Sequence, residues 1–308
     1  MKKLLGVLVT VALSTSGWCV ENPSVIFDKE SISFVVDSHV LWKLNHIAEE
    51  GKPYFHPIST SRGALLTDLR PDDHPWHRGV WFSWKFINGV NYWEEDRQTG
   101  RSQGQTILQS VERTSRSNQE VRVEMRLAYG PSIHEAPVLT EHRVLDIAPP
   151  NKHGIYTIDW SSRFVAQAEQ VFLDRTPLEN EPGGKSWGGY AGFSVRLAPP
   201  AFHARILNSS GMLGGEAVRQ PAAWVAYSLH EGGGLAIFDH PRNVAHPVKW
   251  YISEGMPYVG PALLHDRSIT LRPRQEFFLR YRLVVFSDQL SDKKTFQDWW
   301  EQWISTCP

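Results

Sequence analysis

The tightest constraint on this chain is a two-residue alternation that returns along most of its length. In EVRVEMRLAY, residues 120–129, Val121, Val123, Met125 and Leu127 alternate strictly with Arg122, Glu124 and Arg126. Successive side chains of a strand point to opposite faces, so this segment reads as a sheet strand with one dry and one wet side. HRVLDI repeats the period, with His142 and Val144 on one face and Arg143 and Leu145 on the other. In IYTIDWSSRF, Tyr156, Ile158, Trp160 and Ser162 oppose Thr157, Asp159, Ser161 and Arg163. Asp159 thereby falls on an interior strand, either as a site carboxylate or as a hydrogen-bonded anchor.

Turn signals cut the alternation into hairpins. Residues 104–113 and 120–129 pair around SRSNQ, 138–147 and 154–165 around APPNKHG, and 223–229 and 235–240 around HEGGG. ITLRPRQEFFLRYRLVVFS reads as a further hairpin through Pro273-Arg274. Strands number about fifteen by this reading. One helix is expected, over residues 291–305, where Phe296, Trp299, Trp300 and Trp303 fall at helical spacing and dock it on a sheet. No βαβ alternation interrupts the strands, so the fold class is all-β: a large antiparallel β-sandwich of two packed sheets, a supersandwich-like form included, with a C-terminal helix. No low-complexity linker divides residues 20–308, which read as a single domain.

The 308 residues carry a formal net charge of -1 with no basic block, which argues against nucleic acid or an anionic membrane as partner. Residues 1–19 read as a signal peptide: Lys2-Lys3, an apolar run from Leu4 to Leu13, then small residues. That run is too short to cross a bilayer, and no membrane span is expected in the mature chain. Export to the periplasm or beyond follows, with a lipoprotein anchored at Cys19 as the rival, poorly served by Trp18. Cleavage after Cys19 leaves Cys307 as the only thiol, with no intramolecular disulfide or cysteine metal site.

Two polar clusters stand out against the strands. The first, DDHPWHRGVWFSWKFINGVNYW at residues 72–93, sets His74, His77 and Arg78 around Pro75 and then alternates Val80, Phe82 and Trp84 with Trp81, Ser83 and Lys85. Asn88-Gly89 supplies a tight turn before Trp93. The second, FDHPRNVAHPVKWY, gathers Asp239, His240, Arg242, Asn243, His246 and Trp250, again with a proline directly after a histidine. His56 lies on the short extended piece KPYFHPI, and the glycine-rich loop LENEPGGKSWGGYAG, residues 178–192, offers Lys185 and Trp187 as a cover. That loop is no phosphate loop, because a strand follows it.

KPYFHPI, DHPWHRGVWFSWKFINGVNYW, DRTPLE with GGYAGFSVRLA, and GLAIFDHPRNVAHPVKWY together resemble the secreted bacterial domain family labelled methane oxygenase PmoA, also described as a domain of unknown function. The resemblance covers nearly all of residues 20–308. It implies an exported β-sandwich, often found in bacteria rich in polysaccharide-degrading genes. It does not imply methane oxidation, since the membrane-embedded methane monooxygenase subunits have spans that this sequence lacks. Trp76 stands where that family usually has a histidine, which thins any metal hypothesis resting on the segment.

The chemistry these residues suggest is carbohydrate recognition and catalysis. Sugar rings present apolar faces and a rim of hydroxyls, which call for flat aromatics beside planar polar groups. Trp81, Trp93, Trp187 and Trp250 supply the first and Arg78, Asn88, Arg242 and Asn243 the second, with His56 and Lys185 as further substrate-binding residues. His74 or His77 serves as general base and His240 or His142 as acid, for hydrolysis, elimination or epimerisation. A two-carboxylate glycosidase is disfavoured because no acidic pair marks both clusters. No cofactor is expected, although His74, His77, His240 and His246, completed by Asp239, offer a divalent metal an alternative site. The third reading is a non-catalytic carbohydrate-binding protein. All of these bring the two histidine clusters to one tryptophan-walled hollow, where Arg78→Ala and His77→Ala would abolish activity and spare stability.

Overall fold

The computed structural model describes residues 23–306 apart from 117, 133, 254 and 291; residues 1–19 therefore lie outside it. Among the described residues there are twenty strands and one α-helix, Lys293–Thr306. Every named strand pair is antiparallel. The first sheet runs Ser24–Phe27, Ser31–Val36, His39–Asn45, Tyr54–Ile58, Val80–Ser83, Gly192–Arg196, Tyr258–Pro261 and Trp250–Ser253 in spatial order. The second runs Arg205–Asn208, Trp224–Ser228, Gly234–Asp239, Glu276–Phe286, Tyr156–Ala166, Leu139–Ala148, Val121–Gly130 and Gln105–Ser115. A small third sheet joins Ile269–Leu271, Val171–Asp174, Phe86–Ile87 and Val90–Asn91.

The two large sheets meet through aromatic side chains on their facing sides. Phe55, Phe82 and Phe193 of the first meet Trp160, Phe164 and Tyr281 of the second, with ring centroids 5.0–6.5 Å apart. Burying each such ring contributes about 1.5–3 kcal/mol, and the tight ring packing selects one arrangement of the sheets. The dry face of Leu139–Ala148 also carries Arg143, whose guanidinium is fully buried against the Glu141 carboxylate, with Nε–Oε1 at 2.7 Å. Arg143 lies 4.4 Å above Trp160, so its cation is held by both charge and ring face.

The helix covers part of the outer face of the second sheet, with Phe296 against Trp224 at 5.5 Å and Trp303 against Phe238 at 6.3 Å. Trp300 Nε1 donates to the Asp239 carbonyl at 3.0 Å. The docking role expected of these aromatics is what the contacts give. One expected hairpin is not formed: Ile269–Leu271 pairs with Val171–Asp174, whereas Glu276–Phe286 joins the second sheet. A proline-arginine turn signals a reversal of direction but not that both arms share a sheet. Asp159 sits on an interior strand as expected, on its wet face, paired with Arg282 at 2.6 Å.

Candidate functional site

The outer face of the first sheet carries its own aromatic layer, built from Tyr54, Trp81, Trp93, Tyr251 and Tyr258. Residues 71–79 fold over it in two tight turns, His74 N–H to Pro71 O at 3.0 Å and His77 N–H to His74 O at 2.9 Å. Gly79 lets this loop rejoin the sheet at φ +66°, and a Cβ there would stand 2.2 Å from the Phe55 carbonyl oxygen. The turns stack the rings of His74 and His77 at 4.6 Å. Beneath them His77 lies 5.2 Å from both Trp81 and Tyr258. A cavity of about 170 Å³ opens here, walled by Trp76, Trp93, Trp187, Tyr190, Tyr251 and Tyr258, with Met256 at its side and His74, His77 and Glu94 as polar groups.

His77 is only 2% exposed, and its Nδ1 is buried without a hydrogen-bond partner among the described residues. Burial first, then the nearby charges of His74 and Arg196, hold its pKa down to about 2. It is therefore a neutral ring through the whole ordinary pH range and a weak base. Below pH 6.5 the unfolded chain takes up a proton that folded His77 refuses, so stability from this group is complete above that value and falls as the medium is acidified. Replacing the ring by phenylalanine should remove about 2–3 kcal/mol of the stability difference between pH 7.5 and 4.5. Urea unfolding of wild type and His77→Phe at both pH values measures it, and equal differences would show His77 free to titrate. His46, His56 and His265 are also held low by burial, so only the difference between the two proteins counts.

Glu94 gives the cavity a carboxylate. It accepts from Asn91 Nδ2 at 2.7 Å, from Tyr190 Oη at 3.2 Å and from buried Lys85 Nζ. Burial would raise its pKa, but Lys85 and Asn91 outweigh that and keep it below the usual carboxylate value. It stays ionised at the rim.

Arg78 turns away from the cavity. It is 0% exposed, with Nη1 on Glu50 Oε2 at 2.9 Å and Nη2 on Glu95 Oε1 at 2.7 Å. Arg70 joins the same two carboxylates and Lys52 joins Glu95, and Lys52 Nζ also donates to the Trp93 carbonyl at 3.0 Å. Burial and the Arg78 charge, against the pull of Glu95, lower Lys52 to about 8. A polar recess of about 260 Å³ opens beside this network, lined by Glu50, Lys52, Glu95 and Arg101. Glu50, Lys52 and Glu95 are already paired within the network, so the aromatic cavity is the better candidate.

The expected single hollow is not formed, and several residues assigned to it lie elsewhere. His240 stands edge-on to Trp303 at 5.3 Å, and His246 stacks on Trp300 and pairs with buried Asp239 at 2.7 Å, all on the helix-covered face of the second sheet. Burial raises Asp239 against the bonds from His246 and Asn243. Asn243 spans Asp239 and the Arg280 backbone, and Arg242 is exposed beside it. Trp250 is buried between the sheets and donates to the Ala222 carbonyl at 2.8 Å. His142 pairs with Glu124 at 3.2 Å on the wet face of the second sheet. Asn88 ties its turn to the neighbouring strand, donating to the Gln170 carbonyl and accepting from Phe172 N–H. His56 bonds Thr67 at 3.1 Å and does not line the cavity. Lys185 is exposed with its Nζ 5.8 Å over Trp187, outside the lining, while Trp81 floors the aromatic layer. His74 and His77 are thus separated from His240 and His246, which belong to another face. Among the described residues no three His, Cys, Asp or Glu side chains stand grouped to hold a metal ion.

The glycine-rich loop does reach the cavity, through Trp187 and Tyr190. Glu94, Tyr190, Tyr251, Met256 and Tyr258 line the cavity without being among the residues that the sequence motifs single out. A signal for Glu94 was present, since Glu94-Glu95 directly follow Trp93 at the end of the first cluster. Tyr251 directly follows Trp250 at the end of the second cluster, whereas Tyr258 lies on a strand with no such marker, and the sheet order brings both to the cavity.

The chain belongs to the Family of unknown function (DUF6807), whose model matches residues 31–301. That description gives no activity, so the methane-oxygenase label finds no support in it. No curated protein matches the chain. Among solved structures it is similar to an alpha-galactosidase from Lactobacillus brevis, at 8% identity and a TM-score of 0.45, over 87% of this chain and 39% of that one. A GH36 alpha-galactosidase from Geobacillus stearothermophilus gives 10% and 0.44, over 86% and 41%. A galactose mutarotase related enzyme from Lactobacillus acidophilus gives 10% and 0.28, over 88% and 100%. The chain spans about two fifths of the two galactosidases' lengths. Likeness this distant carries no argument about chemistry. No helix of the described residues is long and apolar enough to cross a membrane.

Proposed function

We propose that the aromatic cavity binds a carbohydrate ring and that His74 and Glu94 perform acid-base chemistry on it. The observation that carries the reading is one recess that combines six aromatic walls with an imidazole and an ionised carboxylate. Flat rings take the apolar face of a sugar, and the two polar groups meet its hydroxyl rim. Its volume of about 170 Å³ suits one ring and not a chain. Neutral, buried His77 holds His74 in place by stacking and leaves proton transfer to its neighbour. Abstraction of a proton from one face of a sugar carbon beside a carbonyl and delivery of another to the opposite face, as in epimerisation, is the reaction class these groups fit. Export under the leader at residues 1–19 is part of the same proposal.

A non-catalytic sugar binder would keep the aromatic walls and show no turnover. A panel of monosaccharides and their uronic acids, followed by tryptophan fluorescence for binding and by NMR for product, separates the two. Trp187 is 54% exposed at the mouth. Trp187→Ala should weaken the binding of whichever sugar registers by about tenfold, the value of one lost ring contact, and leave the melting temperature unchanged. If no sugar perturbs the fluorescence, the cavity is not a carbohydrate site.

A further inference from the structure

We infer that Asp73 is a positioning residue that fixes the tautomer of His74, with Arg196 holding the carboxylate in place. The inference rests on the acid-base role proposed for His74. The Asp73 carboxylate receives Arg196 Nη2 on both oxygens at 2.9 Å, and its Oδ2 lies 2.9 Å from His74 Nδ1. Arg196 comes from the floor, at the end of strand Gly192–Arg196, and its side chain is only 6% exposed. Its Nη1 also meets the sulfur of Met256, which lines the cavity. A buried guanidinium on a central strand thus reaches up to pin an acidic loop residue that is itself half exposed.

An ionised carboxylate can only accept, so the hydrogen of a neutral His74 sits on Nδ1 and the lone pair on Nε2. Asp73 stays ionised: burial would raise its pKa, but the bonds from His74 and Arg196 keep it below the usual range. In turnover Nε2 takes the proton from one face of a sugar carbon beside a carbonyl, the electron pair of the broken C–H bond passes into the enolate, and a proton from solvent closes the opposite face while the imidazolium, its Nδ1–H kept on Asp73, returns its Nε2 proton to solvent. No covalent bond to the protein forms. His77, stacked on the other side, cannot substitute because it offers only a weakly basic ring.

Asp73→Asn preserves shape and removes the charge. Nitrogen-15 NMR of the ligand-free protein should show His74 as the Nδ1–H tautomer in wild type and a shift toward Nε2–H in Asp73→Asn. With a sugar that turns over, kcat should fall by about a hundredfold with KM changed less than about twofold, and Asp73→Glu should recover part of it. An Nε2–H tautomer in wild type, or an unchanged tautomer in Asp73→Asn, overturns the inference. The tautomer is read without substrate, so it decides this point even if every sugar fails and the functional reading falls.

Discussion

Arg78→Ala is expected to destabilise the protein by about 3–5 kcal/mol, the usual cost of removing one partner from a buried charge group, and to lower Tm by roughly 10 °C. The side chain spans Glu50 and Glu95 with no exposed surface, and its cation lies 5.6 Å over the Tyr54 ring. Removing it leaves Glu50 with Arg70 alone and Glu95 with Arg70 and Lys52, and Lys52 is the weaker partner because burial already disfavours its charge. Arg78→Lys should recover part of the loss, since an ammonium keeps the charge but cannot bridge both carboxylates as a planar fork does. Thermal unfolding of the two variants is the measurement. A wild-type transition in Arg78→Ala accompanied by lost activity would return Arg78 to the ligand, which is how its position between two site-like residues reads in the sequence.

That reversal shows what a linear reading can and cannot reach. The dry and wet faces of Val121–Gly130 are legible because a period of two has one geometric meaning, whereas in Leu139–Ala148 the period gives two faces but not which is dry, since Arg143 shares the buried one. The helix and its docking aromatics were legible for the same reason, at a different period. Arg78 was not, because burial depends on partners that arrive from residues 50, 52, 70 and 95, and a guanidinium looks identical in sequence whether it faces a cavity or a carboxylate.

The second histidine cluster misled through likeness of composition. His240-Pro241 and His74-Pro75 share a local bend, yet Gly234–Asp239 lies in the second sheet and Val80–Ser83 in the first, so the bends open on different faces of the sandwich. His240 and His246 are placed by Trp303 and Trp300, and they fasten the C-terminal helix. Glu94 escapes for the opposite reason: it lies one residue past Trp93, the last tryptophan of the first cluster. At the cavity it pairs with Lys85, nine positions back across the Asn88-Gly89 turn.

His74→Ala is the substitution expected to act most strongly on function. With a sugar that turns over, kcat should drop by about 10²–10⁴-fold, the usual contribution of a positioned general acid or base. Stability should change by less than about 1 kcal/mol, because the ring is 35% exposed and its hydrogen-bond partner Asp73 keeps Arg196. His77→Ala gives the contrast: its ring fills the space between Trp81 and Tyr258, so it should lose stability by about 2–4 kcal/mol. Steady-state kinetics beside urea unfolding of both variants separates the two histidines. Turnover that survives intact in His74→Ala would remove the imidazole from the chemistry and leave Glu94 as the reacting group of the cavity. Equal loss of stability in both would mean that the stacked pair folds as one unit and that His74 is structural.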